Sequence, residues 1–200
     1  FTEYFMENDG VGLTCTIAKY CHVLLSKRDD NRIFIYSHDF KEKLEIDSLQ
    51  TMQYDGKLDL IKSGIKLMQP NYGCNIEVAC DFPPGSGIGG SASLLVAIIG
   101  AFNEYREVKL DRYSIAENAF AAERIDLGVA GGWQDQYSTV FGGFNYIEFN
   151  STSNLVTPLR IELTKLRELE ECFILCSTGI PHLGSKIQDQ DKKPSHEYSN

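Results

Sequence analysis

The sequence has little positive charge and no long apolar run. Only 19 of its 200 residues are Lys or Arg, against 28 Asp or Glu, which gives a formal net charge of −9. Nucleic-acid binders normally present a basic face, so we expect no nucleic-acid partner. No stretch reaches the roughly 18 consecutive apolar residues that a membrane-spanning helix requires, so we expect no membrane partner either. A phosphorylated ligand is compatible with the acidic charge, because backbone amides and a bound Mg²⁺ can reverse the field locally.

Closely paired cysteines are also missing. No CxxC spacing occurs, and most of the six cysteines lie in apolar, strand-like runs: Cys15, Cys21, Cys74, Cys80, Cys172 and Cys176. This pattern is typical of buried free thiols in a cytosolic protein rather than of disulfides or metal ligands. No signal-peptide pattern is present, so we predict a cytoplasmic location. The first residue is Phe1 rather than methionine, and we therefore expect the natural N-terminus to lie upstream.

What is present is a mixture of strand-like and helix-like segments. Runs rich in β-branched and aromatic residues predict strands, and apolar residues at helical spacing predict helices. Strands that come first, followed by helices mixed with strands, indicate an α+β architecture. The predicted strands are residues 12–17, 20–26, 32–36, 75–80, 144–149 and 172–176, and the predicted helices are residues 58–67, 91–105 and 113–127.

A glycine-rich loop is the most informative segment. It covers residues 81–93, with the sequence DFPPGSGIGGSAS, between a predicted strand and a predicted helix. Its glycines at positions 85, 87, 89 and 90 allow a tight turn that brings several backbone amides toward one ligand. The helix that follows adds free amides and the positive end of its dipole. Together these features predict an anion site suited to phosphates.

The residues alone leave three interpretations of this loop open. A Walker P-loop would end in Gly-Lys-Ser/Thr, and no lysine stands there. The spacing of Gly85, Gly87 and Gly90 fits the dinucleotide pattern GxGxxG, but Pro83 and Pro84 separate it from the strand, and no acid-bearing second strand follows. A flexible turn without a ligand is the third alternative. We favour a phosphate loop that is not of the Walker type.

Residues 84–93, PGSGIGGSAS, resemble the ATP-binding loop of the GHMP kinases, which is usually written PxxxGLGSSAS. This chain has Ile88 for the usual Leu and Gly90 for the first Ser. The resemblance implies that the loop binds ATP and that Ser91 matches the serine used near the metal ion. The implied ATP-binding residues are Gly85, Gly87, Ile88, Gly89, Gly90, Ser91 and Ala92.

A second block supports the same resemblance. ERIDLG at 123–128 is followed by GGWQDQY at 131–137 and FGGFNYIEF at 141–149. The resemblance implies that Glu123 completes a Mg²⁺ site with Ser91, and that Asp135, on a glycine-rich turn, is the catalytic carboxylate. From the residues alone, Glu123 is equally a solvated helix charge, and Asp135 a helix cap or turn residue. We expect Arg124 to be a surface charge or a support of the site, and Trp133 to wall the site or simply to pack.

The implied roles make chemical sense. A sugar hydroxyl is a poor nucleophile near pH 7, and a carboxylate at Asp135 within hydrogen-bond reach can orient it and accept its proton. Phosphoryl transfer otherwise depends mainly on positioning and charge neutralisation, which a loop and a cation supply. A cation that also binds phosphate oxygens needs only one or two protein oxygens, so Ser91 and Glu123 are sufficient.

The resemblance also implies a fold and a reaction. We expect an N-terminal domain like domain 2 of ribosomal protein S5 over residues 1–160, and only the beginning of a ferredoxin-like C-terminal domain over residues 161–200. Within the family, the chain most resembles the D-glycero-D-manno-heptose 7-phosphate kinases and related bacterial sugar kinases. The implied reaction uses ATP and Mg²⁺ to phosphorylate a hydroxyl, the anomeric one, of a sugar phosphate such as D-glycero-D-manno-heptose 7-phosphate. The sequence leaves open whether the protein forms a homodimer.

The chain departs from that group in three places. It starts just after the position of a first strand and a Gly-Gly-Gly-Thr-Asp segment, it lacks a C-terminal glycine-rich motif, and it has His182 where the group often has arginine. One rival interpretation is therefore a truncated or degenerate family member that binds nucleotide or sugar phosphate without catalysis. A second is a nicotinamide-dependent oxidoreductase that uses the glycine loop.

Overall fold

The computed structural model of the protein describes residues 8–174 and residue 176. In this part of the chain the strands are β1 (Gly10–Cys15), β2 (Cys21–Arg28), β3 (Ile33–Ser37), β4 (Glu42–Ile46), β5 (Gly73–Cys80), β6 (Phe144–Phe149) and β7 (Asn154–Pro158). The α-helices are α1 (Asp59–Met68), α2 (Gly90–Asn103), α3 (Arg112–Phe120), α4 (Gln134–Phe141) and α5 (Leu163–Cys172). A 3₁₀ turn covers Leu49–Thr51, and a π-helical segment, Ala121–Asp126, continues α3.

The strands form two sheets that are connected differently. The first sheet has the order β1–β6–β7, and all its neighbours are antiparallel. The second has the order β2–β5–β3–β4, in which β5 is antiparallel to β2 and parallel to β3. Strand β5 therefore occupies an interior position, and it ends at Cys80, directly before the glycine-rich loop. Because α2 follows the loop, an interior strand and a packed helix hold the loop at both ends.

The main core lies between the second sheet and helices α1 and α2. Burial of this apolar surface is the main force that holds α2 in place. A smaller core, which includes Tyr137 of α4, lies against the first sheet. The α2 residues in the main core are Leu95, Ile98, Ile99 and Phe102, and the sheet contributes Ile33, Ile35, Ile76 and Val78.

Most predicted elements are confirmed, with ends shifted by one or two residues. The predicted helix at 113–127 consists of α3 and the π-helical segment. Elements β4, β7, α4 and α5 were not predicted. The predicted strand at 172–176 is wrong where the structure describes it: Cys172 closes α5, and residues 173 and 174 belong to no strand. The charged residues that dominate α5 extend the helix as far as Cys172, the first residue of the short apolar run on which that prediction rested.

The cysteines are free thiols, as predicted, but only Cys74 is fully buried. Cys21 and Cys80 are half-buried, and the prediction of burial is wrong for the exposed Cys15, Cys172 and Cys176. Cys15 ends the edge strand β1, and Cys172 ends α5, which has no buried residue. His182 lies outside the described residues. Among those described, no helix is both long and apolar enough to cross a bilayer.

Candidate active site

The glycine-rich loop has a backbone that requires its glycines. Gly85, Gly87 and Gly89 have φ angles of +74°, +73° and +76°. A residue with a Cβ atom pays about 1–2 kcal/mol in this left-handed region. Gly90 is needed for a different reason, because a Cβ atom there would lie 2.6 Å from Cε2 of Phe82. The sequence pattern therefore specifies a single compact turn at the end of β5.

The N-terminus of α2 opens at this loop. Gly89 is the N-cap residue, and no side chain caps the helix. The first amide that donates back into the helix belongs to Ser93, which reaches the carbonyl of Gly89 at 3.0 Å. The amides of Gly90, Ser91 and Ala92 thus precede the first intrahelical bond and are free for a ligand. With the positive end of the helix dipole, they favour an anion such as a phosphate group.

A cavity of about 450 Å³ gathers most of the predicted site residues. It is lined by Ser91 and the loop glycines, and also by Glu123 and Asp135, which come from two other elements. Ile88 and Ala92 do not line it. The side chain of Ile88 points to solvent and that of Ala92 is fully buried, so these two residues can contribute only backbone amides. The fold thus brings together the groups predicted for phosphate, cation and proton transfer.

Glu123 lies in the π-helical segment and is only 2% exposed. Its Oε2 accepts a 2.7 Å hydrogen bond from Nε2 of Gln136 and lies 3.4 Å from Nη2 of Arg124. Because both partners contact Oε2, Oε1 is the oxygen that these contacts leave for another ligand. Because Glu123 is buried, the alternative of a solvated helix charge is wrong. A buried carboxylate destabilises the fold by on the order of several kcal/mol unless it is paired, and these two contacts provide the pairing. Such π-helical turns are frequent at functional sites.

Asp135 lies in the first turn of α4, not on the glycine-rich turn that the resemblance implied. Its carboxylate borders the loop, because a Cβ atom at Gly89 would lie 3.5 Å from Cγ of Asp135 and 3.8 Å from its Oδ1. Asp135 is exposed, and its carboxylate has no hydrogen bond or ion pair with the described residues. The carboxylate is therefore available to a ligand in the cavity.

Three further residues lie around the site; the sequence did not single out the first, and the structure decides between the alternatives left open for the other two. Gln136, which the sequence did not single out, is fully buried. Arg124 is no surface charge: its side chain is 11% exposed, and its Nη1 donates to the carbonyl of Ala130 at 2.7 Å. Trp133 does not line the cavity but stacks on Phe120, with ring centroids 4.7 Å apart. Gln136 and Arg124 support Glu123, whereas Trp133 packs.

The charges that line the cavity suit a nucleotide with a divalent cation. The lining residues include three carboxylates, Asp39, Glu123 and Asp135, and one guanidinium, Arg124, so the formal net charge of the lining is −2. A polyphosphate entering without a cation would be repelled. The oxygens of Ser91 and Glu123 are ligands that Mg²⁺ prefers. In the described part of the chain, no three His, Cys, Asp or Glu side chains lie close enough together to hold a metal ion.

Sequence comparisons place these residues in a known context. Residues 59–143 match the family model described as GHMP kinases N terminal domain, and this range includes the loop, Glu123 and Asp135. The chain is 39% identical to D-glycero-alpha-D-manno-heptose 7-phosphate kinase of Campylobacter jejuni, over 92% of this chain and 56% of that protein. It is 29% identical to galactokinase of Thermotoga petrophila, over 80% of this chain and 46% of that protein. The chain thus spans about half the length of these curated relatives.

Solved structures agree with the sequence comparisons. A D-glycero-D-manno-heptose 1-phosphate kinase from Bacteroides thetaiotaomicron superposes with a TM-score of 0.76 at 31% identity, covering 84% of this chain and 58% of that one. Galactokinase of Lactococcus lactis superposes with a TM-score of 0.68 at 21% identity, covering 80% and 45%. The second likeness shows a shared fold. The α+β fold implied by the resemblance is confirmed.

Proposed function

The chain belongs to the GHMP kinases, and on this premise we propose that the protein uses ATP and Mg²⁺ to phosphorylate a hydroxyl of a sugar phosphate. The proposed acceptor is D-glycero-D-manno-heptose 7-phosphate or a close analogue, and the proposed site of transfer is its anomeric hydroxyl. Two of the similar proteins are named as heptose-phosphate kinases, one for the 7-phosphate and one for the 1-phosphate. The position of the free hydroxyl is therefore the point that a test must resolve.

One observation carries the proposal: three chemically distinct groups meet in one cavity. They are the free amides at the start of α2, the side-chain oxygens of Ser91 and Glu123, and the unpaired carboxylate of Asp135. They come from three elements, α2, the π-helical segment and α4, so no local sequence preference explains why they converge. An anion site, a cation site and a base at the anion site form the set that phosphoryl transfer requires.

Each group has a proposed role. The amides of residues 85–91 bind the β- and γ-phosphates and stabilise their negative charge. Ser91 and Glu123 hold Mg²⁺, which supplies charge neutralisation at the phosphate oxygens when it is bound. Asp135, whose carboxylate lies beside Gly89, orients the acceptor hydroxyl and accepts its proton. In this proposal the acceptor hydroxyl binds next to the phosphate site.

The proposal is tested by ADP release from the full-length polypeptide that contains this chain. The panel holds heptose and hexose phosphates, with the phosphate at the terminal carbon or at the anomeric carbon, and the corresponding free sugars. We expect turnover with the terminal phosphates, and a phosphorus NMR spectrum of the product with a new signal coupled to the anomeric proton.

Two results would contradict this function. Turnover only with anomeric phosphates would show that the anomeric hydroxyl is not the site of transfer. ATP binding without ADP release for any acceptor would instead identify a nucleotide-binding protein without catalysis.

A further inference from the structure

Gln136 contacts Glu123 from a fully buried position. It is 0% exposed, and its Nε2 donates the 2.7 Å hydrogen bond to Oε2 of Glu123. The two residues lie on different elements, α4 and the π-helical segment. The contact therefore exists only in the folded protein and fixes one element against the other.

The carbonyl oxygen of the Gln136 side chain makes no favourable polar contact. Its Oε1 is buried and has no hydrogen-bond partner among the described residues. An unpaired buried acceptor destabilises a protein, and an apolar residue of similar shape would avoid that cost. Packing alone would therefore favour a side chain such as methionine. What a glutamine adds at this position is the N–H group that points at Glu123.

We propose that Gln136 is a positioning residue for the cation site, which makes this inference dependent on the proposed function. By donating to Oε2 it fixes the carboxylate of Glu123 and leaves Oε1 directed to the cation. Arg124 contacts the same oxygen at 3.4 Å, which is too long for a well-directed hydrogen bond, so this ion pair does not set the orientation of the carboxylate alone. Outer hydrogen bonds of this kind commonly orient the groups that bind a metal ion.

The position of Gln136 also links the two acids of the site. It follows Asp135 directly in the first turns of α4, and successive helix residues point about 100° apart. Asp135 faces the cavity, while Gln136 reaches Glu123. One short helix thus sets the distance between the proposed base and the proposed cation ligand.

The test measures cation binding directly, on the full-length polypeptide with a non-hydrolysable ATP analogue. Mn²⁺ serves as the probe, because its paramagnetic resonance signal separates free from bound ion. We expect Gln136→Met to weaken Mn²⁺ binding about 10-fold or more, as the loss of outer-shell hydrogen bonds usually does. Affinity for the nucleotide in EDTA should be unchanged. The matched control is Gln134→Met, the same substitution at an exposed position of the same helix.

Two more variants make the result decisive. Gln136→Asn keeps the amide but is one methylene too short to reach Glu123, so it should also weaken Mn²⁺ binding, and it replaces the Met variant if that one does not fold. Glu123→Gln is the reference for loss of the cation site. If Glu123→Gln weakens Mn²⁺ binding and the Gln136 variants match the Gln134 control, the positioning role is wrong and the proposed function stands. If Glu123→Gln has no effect, the proposed cation site itself fails.

Discussion

Replacing Gly89 by alanine tests whether the observed shape of the loop is the shape that binds nucleotide. Gly89 has φ = +76° and ψ = +26° and forms the N-cap of α2. An alanine there meets no serious clash, because its Cβ atom would lie 3.5 Å from Cγ of Asp135, an ordinary contact distance. The effect should therefore come from the backbone, which favours other conformations by about 1–2 kcal/mol once a Cβ atom is present.

The backbone strain at residue 89 predicts how much the affinity for ATP should fall. If the nucleotide binds only the loop with positive φ at residue 89, the competent fraction falls and the apparent Kd rises in proportion. At 1.4 kcal/mol per tenfold, a strain of about 1–2 kcal/mol raises the Kd for ATP about 5- to 30-fold. Gly89→Val should weaken ATP binding further than Gly89→Ala, because a β-branched residue is least tolerated at positive φ. The assay is calorimetric titration of the full-length polypeptide with ATP and Mg²⁺.

Gly142→Ala is the control, since Gly142 has φ = +66°, open space around it and no part in the cavity. Combined with this φ angle, its ψ of 165° gives a conformation that a residue with a Cβ atom rarely adopts, so Gly142→Ala should lose at least as much folding stability as Gly89→Ala and still keep its affinity for ATP. Unchanged ATP affinity in folded Gly89→Ala and Gly89→Val proteins would refute the reasoning, because the loop would then bind nothing in the observed shape. An equal loss in Gly142→Ala would show a general effect of destabilisation.

Two further predictions concern the metal site and the core. Glu123→Gln removes one negative charge with little change in shape, and it should raise the Mg²⁺ concentration for half-maximal activity about 10-fold or more; an unchanged magnesium titration would leave Glu123 outside the cation site. Burial raises the pKa of the Cys74 thiol to about 11, so at pH 8 only about one thiol in a thousand is the reactive thiolate. Iodoacetamide should thus label exposed Cys15 long before Cys74 in the folded protein, as peptide mass spectrometry would show, and equal labelling rates would contradict the burial.

The sequence predicted the loop well because its structure depends on local chemistry. Glycines at 85, 87 and 89 take positive φ angles, and the helix that follows begins at residue 90, one residue before the predicted start. The apolar positions of α2 also followed from helical spacing, because one face of that helix packs against a sheet. A single sequence can show these features, because each one is a pattern of residues that lie close together in the chain.

The features that the sequence did not predict depend on partners far along the chain. The burial of Glu123 follows from its contact with Gln136, which lies on a separate helix. Strand β4 is rich in charge and forms only because β3 pairs with it. Likewise, Asp135 was placed on a turn because glycines surround it, whereas packing of Tyr137 into the smaller core stabilises helix α4. Long-range contacts of this kind leave no periodic signal in a single sequence.

The measurement that tests the central claim most directly is the kcat of Asp135→Asn. Asparagine keeps the size of the side chain and most of its hydrogen bonding, but it cannot accept the proton of the acceptor hydroxyl. With ATP, Mg²⁺ and the best sugar phosphate from the acceptor panel, we expect kcat of the full-length polypeptide to fall about 100-fold or more. The Kd for ATP should hardly change, because Asp135 has no proposed contact with the nucleotide phosphates. If Asp135→Asn keeps most of its turnover, Asp135 is not the base, and a mechanism built on the three groups of this cavity is contradicted.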